Sequence, residues 1–534
     1  MKKSYLFLVA MTMALALSAC GGKSADSGTT GGSTVSADSV GGESISAEGG
    51  SGEAASSKDT MTIGCYGATQ SMFPGNDSKL PGAQIHVNMY DTLLRMDQNG
   101  EILPLLAESW EQVDELTYRF QLKQGVKFHN GDELKASDVA FSLSTLCETP
   151  GAKSNSAQFD PSGFKVEGDY TVVLKTKQAF SPFLAILCHP TMSIFNQKFY
   201  EEHSAAGDLD LVACGTGPFM LKEWNEGENI VLERFDDYFG GPAKMKTLNF
   251  RYIPEASTRL MELESGGIDL MQEVPGVSVP DVEGNTDLKL WTCSGVNTSY
   301  LALNFDKYPD PLIREAVAHS VDRSQLCKIC LMDAAEPLSR YVPTTVPGSY
   351  DVGVYEYDPE LSKKLLAEAG YPDGITLELS YYSSSDNRRM GEFLQGMMEK
   401  AGITLVLNEM DSSAYTPFLN SRQQEAAICT TVCTLRDPYQ TLSKLYSGSC
   451  GEGGNRVNYN NPEFDEKLNA ACAETDIDKR TQLYADLQQY LQERVVYIPL
   501  YNMKVLTATT AKIRGFDLVY PTNYQRYNTC YFVD

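Results

Sequence analysis

The sequence has little positive charge and no long apolar run after its first 17 residues. Lys and Arg number 44 against 70 Asp and Glu, which gives a formal net charge of -26. A surface this acidic argues against nucleic acid as a partner. The charge could favour cationic ligands, or it could simply keep the protein soluble.

Catalytic and metal-binding patterns are also missing. The chain contains no G-x-S-x-G, H-E-x-x-H or Walker A string. Its five histidines are far apart and show no ligand spacing. Cys327-x-x-Cys330 has no second CxxC and lies in a helical pattern over 313–332, so one face of a helix explains it better than a metal or redox pair. We therefore predict no metal, no cofactor and no enzymatic activity.

The N-terminus carries the most specific signal. Lys2-Lys3 precede an apolar stretch of about 12 residues that ends in Leu17-Ser18-Ala19-Cys20. This is typical of a secretory signal, because spanning a bilayer takes roughly 20 apolar residues. The cysteine resembles that of the lipobox of bacterial lipoproteins, whose thiol receives a diacylglyceryl group; the alternative is an ordinary signal with a chance cysteine. We predict a signal peptide over 1–19 and a lipid on Cys20 that anchors the protein outside the cytoplasm, on the bacterial cell membrane.

The segment after Cys20 is almost entirely Gly, Ser, Ala, Thr and acidic residues. It cannot bury enough apolar area to offset the entropy lost on ordering. We predict a disordered tether over 20–59, with a root-mean-square reach of about 35 Å.

Short strands and helices alternate through 60–534, which predicts an α/β protein. The predicted strands are 61–66, 116–122, 375–380 and 403–407. The predicted helices are 84–94, 137–146 with Ser137 as N-cap, 313–332, 362–369, 388–400 and 478–493.

Several motifs follow one another along this body. They are Pro104–Trp110, Tyr118–Gly131, Ala136–Val139, Gly215–Phe219, Leu263–Asp269, Arg314–Val317, Leu366–Pro372 and Ile498–Leu500. In these residues the chain resembles the family 5 extracellular solute-binding proteins, the peptide- and nickel-binding lipoproteins of ABC importers. The resemblance implies a two-lobed, class II periplasmic-binding-protein-like fold that closes around a solute by hinge motion.

The resemblance also implies a domain division and partners. The first lobe would comprise 60–295 plus 499–534, with an extra subdomain inserted at about 95–200, and the second lobe 296–498. The partners would be a small, peptide-like solute and ABC permease subunits, with the membrane contacted only through the lipid, and we expect a monomer. A tethered exported hydrolase and a solute sensor that feeds a signalling partner remain alternatives.

Four segments line the cleft by resemblance: 66–74, 295–300, 381–388 and 430–436. Their aromatic and hydroxyl side chains are the candidates for ligand contact: Tyr66, Phe73, Tyr300, Tyr381, Tyr382, Thr430, Thr431 and Thr434. Arg388 or Arg436 is the candidate for a ligand carboxylate. Such a lining suits an elongated, weakly charged ligand, either a modified peptide or an oligosaccharide.

One position departs from the peptide-binding relatives. In them an Asp holds the α-ammonium of the peptide, and counting back from Asp437-Pro438 places Thr434 there. Burying that cation without an anion costs several kcal/mol, so unmodified di- and tripeptides are expected to bind poorly. Some oligopeptide-binding relatives also carry a disulfide near this position, which implies a pairing of Cys293 with Cys429 or Cys433.

Overall fold

The computed structural model describes residues 56–77, 79–449, 454–517, 522 and 524–534. The predicted signal over 1–19, the lipidation site Cys20, most of the predicted tether and Cys450 lie outside these residues. The last residues of the predicted tether are held against the body, because the Ser56 amide donates to the Phe532 carbonyl at 3.0 Å and the Lys58 ammonium pairs with Asp269. Residues 56–59 therefore contact the body of the protein.

The strands fall into two groups along the chain. Those before the first long strand are β1 (Thr60–Cys65), β2 (Leu94–Met96), β3 (Ile102–Pro104), β4 (Ala107–Asp114), β5 (Thr117–Leu122), β6 (Lys165–Val166), β7 (Thr171–Lys175), β8 (Phe219–Asn225), β9 (Asn229–Arg234), β10 (Thr247–Tyr252) and β11 (Leu270–Gln272). The others are β12 (Leu288–Leu303), β13 (Ala335–Pro337), β14 (Ile375–Tyr382), β15 (Ile403–Met410), β16 (Ala426–Val432), β17 (Ile498–Thr510), β18 (Ile513–Arg514) and β19 (Tyr531–Phe532).

The helices divide in the same way. Those before β12 are α1 (Leu80–Met89), α2 (Ala136–Glu148), α3 (Phe183–Ile186), α4 (Gln197–Ala206), α5 (Ala256–Glu264) and α6 (Val279–Gly284). Those after β12 are α7 (Pro311–His319), α8 (Arg323–Gln325), α9 (Pro359–Glu368), α10 (Ser385–Met398), α11 (Ser412–Ser421), α12 (Pro438–Leu442), α13 (Pro462–Ala473) and α14 (Ile477–Gln492). In the described part of the chain, no helix is both long and apolar enough to cross a membrane.

One sheet runs through both lobes. Its strand order is β15-β14-β16-β12-β17-β11-β1-β10-β9-β8, and β13 also pairs with β17. β12 and β17 are long antiparallel strands at the centre. We use 'first lobe' for the strands on the β11 side with the helices before β12, and 'second lobe' for β14 to β16 with the helices after β12.

A separate antiparallel sheet is attached to the first lobe, in the order β4-β5-β7-β6. In β5 the residues alternate between half-buried and buried, as the period-two pattern of the sequence predicts. Its inward side chains Tyr118, Phe120 and Leu122 join the larger hydrophobic core. A second core lies in the second lobe, where α10 covers β14 and β15.

Three predicted helices differ from the structure. The first starts at Leu80 and ends at Met89 instead of spanning 84–94, because Pro81 fits the first turn of a helix. α2 is capped by Lys135 and not by Ser137, since the Asp138 carboxylate accepts the Lys135 amide at 3.0 Å. The pattern over 313–332 breaks between α7 and α8, and Cys327 and Cys330 lie in a buried π-helical turn, Leu326–Cys330.

The described cysteines are free thiols, so the expected bridge from Cys293 to Cys429 or Cys433 does not form. Strand register explains why. Cys293 lies opposite Val505, Cys429 lies opposite Tyr300, and the Cys433 amide donates to the Val296 carbonyl at 3.0 Å. Both candidate partners therefore face positions farther along β12 than Cys293.

We expect alkylation in denaturant without reductant to label all eleven described cysteines, since none is bridged. Without denaturant, Cys433 should react slowly, because burial raises the pKa of its thiol to about 12. Peptide mass spectrometry measures both results. A peptide containing Cys293 that is labelled only after reduction would contradict the structure.

Candidate functional site

The floor of the cleft between the lobes is a β-bulge in the central strand pair. Ser294 pairs with Lys504 and Thr298 with Asn502, so β12 has two extra residues at this point. Gly295 lies in the bulge, where a Cβ atom would come within 2.6 Å of the Met503 carbonyl oxygen. The Gly295 carbonyl accepts from Thr345 Oγ1 at 3.1 Å and Asn502 Nδ2 at 3.2 Å. The bulge is therefore a fixed structure that presents backbone polar groups beside the cleft.

This cleft has a volume of about 520 Å³ and is lined from both lobes and from the floor. The first lobe contributes Tyr66, Asn155, His189, Thr191, Glu273 and Tyr524 among others. The second lobe contributes Val432, Thr434 and Gln440, and the floor contributes 295–297 and 503–505.

Tyr66 and Glu273 enter the cleft at the carboxyl ends of neighbouring strands. β1 and β11 are parallel, with Ile63 opposite Leu270, so both strands end at the same edge of the sheet. Ligands of open α/β sheets bind at this kind of edge. Burial raises the pKa of the Tyr66 phenol and the negative charge of Glu273 raises it further, so Tyr66 remains a neutral hydrogen-bonding group.

Glu273 is held in an unusual backbone conformation. Its φ is 54°, a left-handed value that is uncommon outside glycine. The buried guanidinium of Arg259 donates to the Glu273 carbonyl at 3.3 Å and to the Ile253 carbonyl at 2.7 Å. Arg259 thus ties the loop after β11 to the loop after β10 and positions Glu273 at the cleft.

His189 stands where the lobes meet. Its Nδ1 accepts the Thr191 amide at 3.2 Å, so the proton of the neutral ring is on Nε2. Nε2 lies 3.1 Å from Thr434 Oγ1, to which it donates across the cleft, and the same hydroxyl accepts from Gln440 Nε2 at 3.2 Å. The ring of Tyr524 packs edge-on against the imidazole at 5.7 Å.

Arg436 makes a second set of contacts between the lobes. It lies between β16 and α12, with a left-handed φ of 52°. Its Nη1 donates to the Asp97 carbonyl at 2.6 Å and its Nη2 to the Gln98 carbonyl at 2.9 Å, both in the loop after β2. Farther along the interface, the Ser181 amide donates to the Cys472 carbonyl at 2.8 Å. The structure therefore has the two lobes in direct contact beside the cleft.

The cleft contains only part of the predicted ligand-contact set. Tyr66 and Thr434 line it. Phe73 packs in the first-lobe core with its ring 5.1 Å from Phe195, and Tyr381 is 2% exposed in the second-lobe core. The ring of Tyr300 lies 4.0 Å from that of Tyr497 and is buried.

The other predicted residues lie on the second lobe. Tyr382 and Thr430 are exposed, and Thr431 lines a separate cavity of about 10 Å³ together with Tyr300. Arg388 is exposed and donates to both oxygens of Glu409. Most of the predicted aromatic residues therefore lie outside this cleft, with their rings packed against other rings.

Charged residues of the cleft were not predicted. Its described lining includes one acidic residue, Glu273, and one lysine, Lys504. The described lining therefore carries charges of both signs beside its neutral groups. Nothing in the sequence around His189 marks it as a cleft residue, since it has neither metal-ligand nor catalytic spacing.

The buried imidazole predicts a pH dependence of stability. Burial lowers the pKa of His189 to about 4, against about 6.5 in the unfolded chain, so on acidification the unfolded state binds a proton first. The stabilisation from neutral His189 is complete above about pH 6.5 and is lost as the pH falls toward 4. His189→Gln stays neutral throughout, so between pH 8 and 4.5 its free energy of unfolding should fall by roughly 2.5 kcal/mol less than that of the wild type.

Urea denaturation at the two pH values measures this difference. Thr434→Val is the matched control: it removes the partner of Nε2 but leaves the imidazole buried, so it should keep the wild-type pH dependence. Equal pH dependence in the wild type and His189→Gln would show that the imidazole is not buried in its neutral form.

Comparison with known proteins identifies the family. Residues 101–453 match the bacterial extracellular solute-binding proteins, family 5 Middle. The glutathione-binding protein GsiB of Salmonella typhimurium is 25% identical over 483 residues, covering 88% of this chain and 94% of that protein. The dipeptide-binding protein of Escherichia coli K12 is 27% identical over 447 residues, covering 78% and 84%.

A solved structure agrees in fold. The periplasmic binding protein DppA of Helicobacter pylori, in complex with the peptide STSA, is 26% identical and superposes with a TM-score of 0.76, covering 89% of this chain and 98% of that one. The two-lobed α/β fold inferred from the motifs is thereby confirmed. Proteins of this kind are transport receptors and not enzymes, which removes the hydrolase alternative. The chain belongs to family 5 of the bacterial extracellular solute-binding proteins, the solute receptors of ABC importers.

Proposed function

We propose that this protein is a lipid-anchored receptor that binds a peptide-like solute between its lobes and delivers it to the permease of an ABC importer. The observation that carries the proposal is the cleft of about 520 Å³, lined by both lobes and by the strands that join them. Sites for small ligands typically measure about 300–1,000 Å³. The described lining also combines both charges with amide, hydroxyl and aromatic groups, which together suit a peptide backbone.

The ligands of relatives point in the same direction. GsiB is named for glutathione, the Escherichia coli relative for dipeptides, and the Helicobacter pylori protein was solved with a tetrapeptide. All three ligands are short chains of amide-linked residues. We extend that solute class to this protein and leave its length and any modification open.

Glu273 is our candidate for the ligand's ammonium group. The second-lobe position that holds an Asp in peptide-binding relatives is Thr434, whose hydroxyl contacts His189 and Gln440. A carboxylate from the first lobe would supply the missing charge, since burying an ammonium without an anion costs several kcal/mol. The strained backbone and the Arg259 contact hold Glu273 at the cleft before any ligand arrives.

We propose that the first lobe comprises 60–295 plus 499–534, with an inserted subdomain at about 95–200. The second lobe comprises 296–498. No disulfide joins these lobes among the described cysteines, so a ligand that contacts both lobes stabilises the closed arrangement over the open one. A permease can recognise that difference. We propose that the receptor acts as a monomer.

The anchor belongs to the same proposal. A diacylglyceryl group on Cys20 would hold the protein on the outer face of the cell membrane, and the Gly- and Ser-rich segment after it would let the lobes move beside the permease. These residues lie outside the described part of the chain.

Calorimetry with free-amine and N-acetylated tetrapeptides tests the ligand assignment. We expect the wild type to bind the free-amine peptides, and Glu273→Gln to weaken that binding ten- to a hundredfold, since a charge-assisted hydrogen bond is worth roughly 1.5–3 kcal/mol. Affinity for the acetylated peptides should not change.

Glu283→Gln is the matched control, because Glu283 is an exposed carboxylate on α6 outside the cleft. If Glu273→Gln has no effect while Thr434→Asp strengthens binding, the ammonium site is at Thr434, as in the relatives, and our assignment of Glu273 is wrong. If neither peptide set binds the wild type, the solute is not a peptide.

The anchoring prediction concerns Cys20. Cys20→Ser removes the thiol that would be acylated, so the protein should be released into the medium or periplasm with its fold intact. Fractionation with immunoblotting measures the release, and Cys293→Ser, which leaves Cys20 in place, should stay with the membrane. A Cys20→Ser protein that remains on the membrane after a high-salt wash would rule out the lipid anchor.

A further inference from the structure

A second, smaller cavity lies beside the main cleft. It has a volume of about 120 Å³. Four residues line both cavities: His189, Thr434, Thr522 and Tyr524. The main cleft and this side cavity therefore adjoin at these four residues. The volume of the side cavity equals about four water molecules, which is room for a carboxylate and the carbon atom that carries it.

The side cavity is cationic. Arg95 of β2, Arg436 of the loop before α12 and Arg526 near the C-terminus line it, and its described lining contains no Asp or Glu. These guanidinium groups come from three distant parts of the chain. The fold has therefore gathered three positive charges around one small volume, in a protein whose net charge is -26.

Two of the three guanidinium groups are fixed in place. Arg526 Nη2 donates to Asp91 Oδ1 at 2.7 Å, and the Asp91 side chain is fully buried behind it. Arg436 is buried and donates to the backbone carbonyls of Asp97 and Gln98. Arg95 is exposed at the edge of the cavity, and its charge opposes the rise that burial causes in the pKa of the neighbouring Cys188 thiol. Arg95 is thus the exposed member of the three, and it stands at the cavity edge.

Building on the proposed function, we propose that the side cavity binds the anionic end of the solute, with Arg95 as the residue that closes on it. Guanidinium groups bind carboxylates and phosphates through paired N–H donors. In a peptide-like solute held in the main cleft, that end is a carboxylate. The predicted candidate Arg388 does not line this cavity, and its guanidinium group already donates to both carboxylate oxygens of Glu409.

The position of the cavity also links anion binding to closure. Arg436 comes from the second lobe, whereas Arg95 and Arg526 come from the first. An anion in this cavity contacts charges on both lobes and therefore favours the arrangement in which they are together. Opening of the lobes would separate Arg436 from the other two and weaken the site.

Calorimetry with tetrapeptides that carry a free carboxylate or a C-terminal amide tests the inference. We expect the wild type to bind the free acids at least tenfold more tightly than the amides. Arg95→Gln should remove most of that preference and Arg95→Lys should retain part of it. Arg119→Gln is the matched control, because Arg119 is an arginine of β5 that pairs with Glu111 and Glu167 and lines neither cavity. Equal binding of acid and amide by the wild type would overturn the inference.

A second measurement does not depend on peptides. Succinate and inorganic phosphate, but not succinamide, should raise the melting temperature of the wild type, and Arg95→Gln should reduce that rise while Arg119→Gln keeps it. If the anions act through Arg95 but no peptide binds, the side cavity is an anion site and the peptide assignment fails. If peptides bind without preference for the free acid and the anions have no effect, the peptide assignment stands and the side cavity is not an anion site. A larger rise with phosphate than with succinate would identify a phosphorylated solute in place of a carboxylate.

Discussion

The antiparallel pairing of β12 with β17 is the constraint on which the rest of this molecule depends. Leu288–Ser294 pair with Lys504–Thr510 in the first-lobe half of the sheet, and pairing resumes at Thr298 with Asn502 on the other side of the bulge. The bulge bends the strand pair where the lobes separate. Every strand of the second lobe joins the sheet through β12 or β17, so the relative position of the two lobes is set at this floor.

The contacts between the lobes have a chemistry suited to opening and closing. His189 donates to the hydroxyl of Thr434, Arg436 donates to backbone carbonyls, and the Ser181 amide donates to the Cys472 carbonyl. Each neutral hydrogen bond of this kind contributes only about 1 kcal/mol net, and one from a charged donor about 1.5–3. Apolar contacts join these bonds, such as the ring of Phe180 against that of Tyr439 at 4.9 Å. A solute can shift the balance between open and closed lobes only by as much as it binds one arrangement more tightly than the other.

Local patterns predicted much of the secondary structure, because it depends on neighbours in sequence. The predicted strands at 61–66 and 375–380 and the helix at 478–493 match β1, β14 and α14 to within about two residues at each end. The N-cap of α2 was misplaced because Ser137 and Asp138 are both good capping residues. The sequence pattern does not show which of the two side chains makes the hydrogen bond at the start of the helix. In 313–332 the apolar spacing continued across a break at 320–322, so periodicity alone could not reveal it.

The cleft was harder to predict, because aromatic residue type does not separate a binding surface from a core. Tyr66 follows the parallel strand β1, and Tyr381 lies near the end of the parallel strand β14. Tyr66 lines the cleft, whereas Tyr381 is buried under α10 near Gly391. Glu273 could have been found by a physical rule, since it follows directly after the parallel strand β11. Arg95 and Arg526 lie far apart in sequence, and only the assembled fold brings them to one cavity.

The motifs that identify the family serve the scaffold and not the ligand. Gly215 and Gly217 pack against the backbone of Met89, where a Cβ atom would come within 2.2 Å and 2.7 Å of its carbonyl oxygen. Arg314, from another motif, is buried and donates to the Tyr308 and Pro309 carbonyls at 2.8 Å. Several residues of the cleft, including Tyr66, Glu273 and Thr434, lie instead in loops that follow strands, where side chains can vary with little effect on the scaffold. Family membership therefore follows from residues that hold the fold, whereas the solute must be inferred from residues around the two cavities, such as Glu273 in a loop and Arg95 in β2.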